Sequence, residues 1–546
     1  MALLIGCGPR RVAYVGGVVL TMDAQDRTVS AVGTDGDRIA IVGSDDEVLR
    51  WAGPARIVRL EGRAMVPGFV EAHGHFPGEG LFAFRADLRS PPVGAVRSID
   101  DVVARLREQA EKAPRATWVI GLGFDDTLVT EQRHLTRADL DRVSPDRPVV
   151  ALHVSGHLAS VNSAGLAALH YARGTPDPAG GRIRRDPASG EPDGVLEESA
   201  LEPFKEAVLE PGPLEAIGIA RAASALYAAR GVTTAQNGYA TLAHLRGLGL
   251  LSRIGLVPIR LVLWPGEPAT EALAAGTASF ASFDERWVRR GAVKLVADGS
   301  IQGYTAYLSE PYFVPPAGDP SFRGYPRLSR EELRERVMRY HAAGYQIAVH
   351  GNGDAAIDDI LDAFEAAQTA QPRSDARHVI VHAQTARPDQ LDRMKALGVV
   401  PSFFVLHTYY WGDRHRDVFL GPERAARISP AHSAAARGIR FTLHADSPVV
   451  PMEPLRIVWA AVNRRTTSGA VLGEDERIDV RRALRAVTID AAWQHFEEAE
   501  KGSIEVGKLA DLVVLDRSPL DDPATIDRIP VHATIVGGRE LFAGGP

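Results

Sequence analysis

The feature that most constrains this chain is an alternation. Short apolar, β-branched runs fall at residues 65–71, 232–236, 259–263, 293–297, 346–349, 378–381, 399–404 and 440–443. Between them lie stretches rich in Ala, Leu and Arg at helical spacing, such as 215–229, 330–343, 354–367 and 388–397. Strands that alternate with helices in this way build a parallel sheet covered by those helices. Eight strands, most of them followed by a helix, predict an α/β fold of the (β/α)8 TIM-like barrel type over residues 65–495.

The two ends read differently. Residues 1–64 carry strand candidates at 12–20, 29–32, 38–42 and 57–60, and residues 496–546 carry them at 511–515 and 532–536, with Gly537-Gly538 as a hairpin turn. Neither end is long enough to build a good core alone, so the two are expected to pair into one small composite β-sandwich domain. The distance from the first barrel strand to the second is too long for one helix. Residues 76–210 are therefore expected to form an inserted, lid-like subdomain with strands of its own near 118–121 and 149–154.

Composition excludes several classes of function. The 546 residues include 62 Lys+Arg against 69 Asp+Glu, a net charge of -7, with no basic tract to neutralise phosphates, so nucleic acid is not expected as a partner. No apolar run approaches the roughly 18 residues that would span a bilayer, and residues 1–6 have no positive n-region, so neither membrane insertion nor secretion is expected. Cys7 is the single cysteine and permits no intrachain disulfide and no Cys-based zinc cluster, which makes the cytoplasm the expected compartment. A homodimer is expected only by analogy with other barrels of this kind.

In such a barrel the chemistry sits at the C-terminal ends of the strands. The first candidate strand closes on His73-Gly74-His75, whose imidazoles at alternate positions point to the same side, as two ligands of one metal must. Lys294 lies inside an apolar run, His350 and His382 close two further strands, and Asp446 follows the eighth. Taken singly these have plain structural explanations: a satisfied buried histidine, or an aspartate capping a helix ahead of Ser447-Pro448. Lys294 is the odd one, because a lysine in a core strand must snorkel or lose its charge. A desolvated lysine of lowered pKa can react with carbon dioxide to give a carbamate, an anionic ligand able to bridge two cations. Four histidines, a lysine and an aspartate at strand ends together point to a metal site.

The wording around these residues resembles the amidohydrolase superfamily, and within it amidohydrolase family 3. The resemblance is carried by Val66-Pro67-Gly68-Phe69-Val70-Glu71-Ala72-His73-Gly74-His75, by Lys294 with Ala297-Asp298-Gly299-Ser300, by His350-Gly351-Asn352-Gly353-Asp354, by His382-Ala383-Gln384 and by Asp446-Ser447-Pro448-Val449. It extends through Gly502-Ser503-Ile504-Glu505-Val506-Gly507 near the C-terminal end. Leu443-His444-Ala445-Asp446 and the aromatic stretch His407-Thr408-Tyr409-Tyr410-Trp411 are similar to the subgroup that contains N-substituted formamide deformylase. The resemblance implies one metal held by His73, His75 and Asp446, a second held by His350 and His382, and a carbamylated Lys294 bridging them. Zn2+ at one or two sites per chain is the expected cofactor, with other divalent metals possible. Gly351-Asn352-Gly353-Asp354 and Ile301-Gln302-Gly303-Tyr304 depart from the commoner family wording, and His444 stands where a small residue is frequent.

A cluster of this kind lowers the pKa of a coordinated water toward about 7 and polarises a carbonyl, which is equipment for hydrolysis by metal-bound hydroxide. Asp446 is the expected catalytic base. His157 and Tyr304 are expected to contact substrate, and Phe404, Tyr410 and Trp411 to supply an apolar wall. The expected activity is cleavage of the C–N bond of a small-molecule amide, an N-substituted formamide or other N-acyl amine. A cyclic amide hydrolase or deaminase is the alternative, disfavoured because no H-x-x-E surrounds His350. A catalytically inactive binding or regulatory protein on the same fold would show first as missing ligands, and all six positions are filled.

Overall fold

A computed structural model describes residues 11–114, 117–204, 211–316 and 319–544. Cys7 and the last residues of the 76–210 insertion, 205–210, lie outside that set. The barrel strands are β1 (Phe69–Val70), β2 (Val232–Ala240), β3 (Arg260–Pro265), β4 in two pieces (Val288–Arg290 and Val293–Val296), β5 (Ile347–Gly351), β6 (Val379–His382), β7 (Val400–Phe403) and β8 (Thr442–Leu443). Adjacent strands are parallel throughout, with Phe69 opposite Val232, Val296 opposite His350, Gly351 opposite His382 and Phe403 opposite Leu443. The intervening segments supply helices such as Arg330–Ala342, which starts on a Ser329/Glu332 capping box. Another, Pro388–Leu397, ends on Gly398 in the left-handed region.

One expectation needs correction. The run at 65–71 is not one barrel strand: Ala64–Pro67 pairs with Leu512–Leu515 and Val18–Leu20 in another sheet, and only Phe69–Val70 joins the barrel. Gly68 makes the crossing, packed so closely on Thr233 that a side chain there would collide with it. The fourth strand, expected at 293–297, is found at Val293–Val296, with a further piece ahead of it at Val288–Arg290. Its first piece pairs with β3 and its second with β5, and the break at Gly291 sits against Trp264, where a Cβ would lie 2.5 Å from Nε1.

Two sheets stand beside the barrel. One joins Arg38–Gly43, Ala31–Asp35, Arg11–Val15 and Arg56–Arg59; the other joins Arg539–Ala543, Val531–Val536, Leu512–Leu515, Ala64–Pro67, Val18–Leu20 and Thr28–Val29. Tyr14, Val32 and Ile39 of the first pack with Val19, Met65, Leu512 and Ile535 of the second in one core. Gly537 and Gly538 turn the last hairpin, both at positive φ. The barrel is tied to this unit by Arg260, whose guanidinium donates to both oxygens of Asp511 at 2.6 and 3.0 Å with both residues buried.

Between β1 and β2 lies a six-stranded mixed sheet that includes Val119–Phe124, Val149–His153, Leu158–Val161 and Pro192–Glu198. Side chains alternate across it as a pleated strand requires. Val119 and Val149 face helix Ile99–Lys112, while Ile120 and Val150 face a second cluster with Leu196 and Phe204. Among the described residues no helix is long and apolar enough to cross a membrane.

Candidate metal centre

The His73-Gly74-His75 segment leaves β1 and is pinned from both sides. His75 N–H donates to Ser447 O at 2.6 Å, Gly74 N–H to Gln236 Oε1 at 2.8 Å, and Gly238 N–H to Gly74 O at 2.6 Å. The His73 ring stacks on Trp264, with centroids 5.6 Å apart. Around it the barrel brings in Lys294 from β4, His350 from β5, His382 from β6 and Asp446 from the loop after β8. His382 and Asp446 adopt φ of 74° and 53° without being glycine, strained conformations that packed surroundings must hold in place.

Asp446 Oδ1 stands 3.4 Å from His73 Nε2 and 3.3 Å from His75 Nε2, and Oδ2 stands 3.9 Å from His382 Nε2. Two ligands about 2.1 Å from a tetrahedral cation are about 3.4 Å apart, so the spacing fits a shared ion. The donor atoms of His73, His382 and Asp446 lie within 4.8 Å of one another. Among the described residues His73 Nδ1 has no hydrogen-bond partner and Asp446 Oδ1 has no well-aligned one, although both atoms are buried. A buried carboxylate oxygen that faces two imidazole nitrogens at 3.3–3.4 Å, without a well-aligned hydrogen bond, fits a set of cation ligands. His75 is the exception in burial, with 39% of its side chain exposed, and marks the open side of the site.

The electrostatics match. Burial pushes the imidazoles of His73, His350 and His382 well below the usual histidine range, which keeps them neutral as ligands must be. Burial works against ionisation of Asp446, but the His75 hydrogen bond and the positive surroundings hold it down at about 2. Burial lowers Lys294 to about 7 against the opposing charge of Asp446, and its Nζ lies 3.3 Å from His73 Nε2.

His350 stands next to His382, the residue with which the family resemblance pairs it. Its ring is 4.6 Å from that of His382, but its Nδ1 faces Asp298 Oδ1 at 3.0 Å and its Nε2 lies 3.3 Å from Asn352 Nδ2. Asp298 also accepts the backbone N–H groups of Asn352, Gly353 and Tyr307, and burial raises it to about 7 against those donors. The sequence signal for Asp298 is an acid just past a barrel strand end.

The insertion delivers His157. Its ring centroid is 5.1 Å from that of His350, and its Nδ1 is 2.9 Å from Glu198 Oε2. The only sequence signal for Glu198 is an acid at the end of a largely apolar strand. Burial opposes its charge, but His157 and Arg327 hold its pKa at about 2. Trp411 is buried and donates through Nε1 to Asp125 Oδ2 at 2.8 Å, fastening the loop after β7 to the insertion. Phe404 reaches the centre, its ring 5.8 Å from His382 and 5.2 Å from His444. Tyr304 does not join this group in its contacts. At φ 59° the chain turns its ring between Tyr312 and Phe419, and its hydroxyl donates to Val314 O at 3.2 Å.

A barrel with this constellation at its strand ends defines a metal-dependent hydrolase. Residues 56–542 match the amidohydrolase family, and the chain belongs to it; its class is that of enzymes hydrolysing carbon–nitrogen bonds. It is 31% identical to N-substituted formamide deformylase of Arthrobacter pascens over 92% of this chain and 93% of that one. It is 29% identical to the putative amidohydrolase YtcJ of Bacillus subtilis (strain 168) over 96% and 98% of the two chains. An uncharacterized metal-dependent hydrolase from Pyrococcus horikoshii OT3 superposes with a TM-score of 0.74 at 25% identity, covering 94% of this chain and 99% of the other.

Proposed function

We propose that the chain hydrolyses the C–N bond of an N-substituted formamide or another small N-acyl amine. The observation that carries this reading is the Asp446 carboxylate set between the Nε2 atoms of His73 and His75 with His382 opposite. Its similarity to a formamide deformylase along nearly the whole chain supports the choice of substrate class.

His73, His75, His382 and Asp446 would hold a divalent cation, zinc by its donor chemistry, with His350 beside it for a second. Such an ion supplies Lewis acidity and an acidified water. Asp446, ionised at every working pH, accepts the proton of the attacking water and passes it to the leaving nitrogen. His157, with Nδ1 tied to Glu198, would offer its other nitrogen to the acyl oxygen. Phe404 lies where a substituent on the acyl amine would pack.

Lys294 is a candidate for carbamylation. Its burial favours the neutral amine, whose lone pair attacks the carbon of CO2; an N–C bond forms, one N–H proton leaves, and an anionic carbamate results. Lys294→Met is expected to lose any bicarbonate dependence of metal loading that the wild type displays.

The test is elemental analysis of the purified protein together with amine release from a panel of N-formyl and N-acetyl amines. About two metals per chain with turnover supports a bridged pair. One metal with turnover points to a mononuclear centre, and no metal with no rescue by added zinc overturns the proposal.

A further inference from the structure

A second group of ligand-type side chains stands in the inserted subdomain, where two parallel strands end side by side. Val119–Phe124 and Val149–His153 pair with Phe124 opposite His153, so the two acids that follow the first strand, Asp125 and Asp126, arrive beside the last residue of the second. The C-terminal edge of parallel strands is where such sheets bind ligands. One donor atom from each of Asp125, Asp126 and His153 lies within 4.8 Å of the other two. None of the three comes from a barrel strand.

The geometry at Asp126 is that of co-ligands. Its Oδ1 stands 3.2 Å from His153 Nε2 and 3.4 Å from His134 Nδ1. Asp126 Oδ1 and His153 Nε2 are both sealed from solvent, and neither has a well-aligned hydrogen bond among the described residues. A plain aspartate–histidine pair would put a ring proton near the line between the two atoms. Two ligands about 2.1 Å from a tetrahedral cation instead stand about 3.4 Å apart, each about 35° off the line from the other ligand to the ion, so a proton in the ion's place points past its acceptor. One carboxylate oxygen set against two imidazoles at 3.4 and 3.3 Å also marks Asp446 in the barrel.

The surroundings hold these donors in place. His153 is 3% exposed, and Ser155 turns its Oγ and its N–H to Nδ1 at 2.8 and 3.2 Å, which leaves Nε2 aimed at Asp126. Asp125 is buried as well. Thr127 donates to its Oδ1 through N–H and hydroxyl at 2.9 and 2.6 Å, and Trp411 Nε1 donates to its Oδ2 at 2.8 Å, so Oδ2 keeps a lone pair. His134 flanks the group, its ring centroid 6.3 Å from that of His153. Carboxylates together with imidazoles form a donor set that suits zinc and neighbouring divalent ions.

We propose that Asp125, Asp126 and His153, with His134 beside them, form a cation site separate from the barrel centre that takes a divalent ion of the zinc type. The ion replaces any proton on the ring nitrogen it binds, as metal binding to imidazole does. It ties the ends of the two inserted strands together, and through Asp125 and Trp411 it braces the loop after β7 against the insertion that carries His157. This assignment stands whether or not the barrel hydrolyses an amide.

The experiment reads position, because the barrel centre has ligands of its own. Full-length protein from zinc-supplemented growth is crystallised without added metal, and anomalous difference maps are recorded on both sides of the zinc absorption edge. The expected result is a zinc peak about 2.0–2.2 Å from Asp126 Oδ1 and His153 Nε2, whatever the barrel holds. Asp126→Leu and His153→Phe should each lose that peak, leave barrel occupancy unchanged, and retain one zinc per chain fewer than the wild type against graded chelator.

A wild-type map without zinc between Asp126 and His153 overturns the proposal, and it does so with or without metal in the barrel. So does a peak that appears only after crystals are soaked in zinc, which is an adventitious ion only. A peak that persists in His153→Phe overturns it as well. Should the variants not fold, the wild-type map still decides.

Discussion

Gly238 offers the sharpest test of how tightly the centre is built. It lies on β2, and a Cβ placed on it would stand 2.6 Å from His73 Nδ1, nearer still to Cε1, and 3.0 Å from Gly74 O. Ordinary contact needs about 3.5 Å, so the imidazole must retreat by about 1 Å. It has little freedom to do so, because it is 1% exposed, stacks on Trp264 and faces Lys294 and Asp446 with its other edge. Metal ligands tolerate about 0.2 Å of displacement. A shift of about 1 Å at a reacting centre costs on the order of 100-fold. Gly238→Ala should therefore lower both zinc affinity and kcat/KM by about 100-fold, equivalent to about 2.7 kcal/mol. The backbone at Gly238 does not use the left-handed region, so alanine is permitted there and the variant should fold. The assay is zinc retention against graded chelator buffers, with circular dichroism as the check on fold. A folded variant with wild-type zinc affinity and kcat/KM would refute the packing argument.

Asp446→Asn should cost about 100- to 10,000-fold in kcat while leaving metal content largely intact, and an active Asn variant would remove Asp446 from the role of base. Arg260→Met leaves Asp511 buried without its ion pair and should destabilise the fold by about 3–5 kcal/mol in denaturant unfolding; adding Asp511→Leu should recover most of the loss. Glu71 is fully buried, and burial raises its pKa to about 8 against hydrogen bonds from Gln236 N–H and the Tyr227 hydroxyl. Because the folded chain holds the proton that the unfolded chain releases, stability should fall as pH rises from about 4.5 to 8, and Glu71→Gln should flatten that slope.

The parts of this protein that are legible in its sequence are those governed by periodicity. Buried parallel strands must be apolar, so a lysine or histidine at the end of one is conspicuous, and His73, Lys294, His350 and His382 stand out for that reason. The partners that orient them do not stand out. Ser402, Thr442 and Gln494 are small or neutral polar residues scattered through apolar segments, and nothing in their spacing indicates that they touch. Glu198 is separated from His157 by a strand, a helix and a strand pair, so their pairing depends on the register of the inserted sheet. Tyr304 shows what one backbone angle does to a side chain's direction. It follows β4 closely enough to be expected at the metals, but one left-handed residue redirects its ring into an aromatic cluster.

The same geometry explains why polar side chains carry so much of the organisation here. β1 and β8 have two residues each in their strands, and these are the strands that lead into His73, His75 and Asp446. A backbone ladder that short positions little beyond its own ends. Where β8 meets β1 the join is made instead by His75 N–H on Ser447 O and by the Gln494 amide, which spans from Thr442 to Ala72. The ligands thus sit where the barrel is weakest in backbone hydrogen bonds and are held by side chains with fixed donor and acceptor roles.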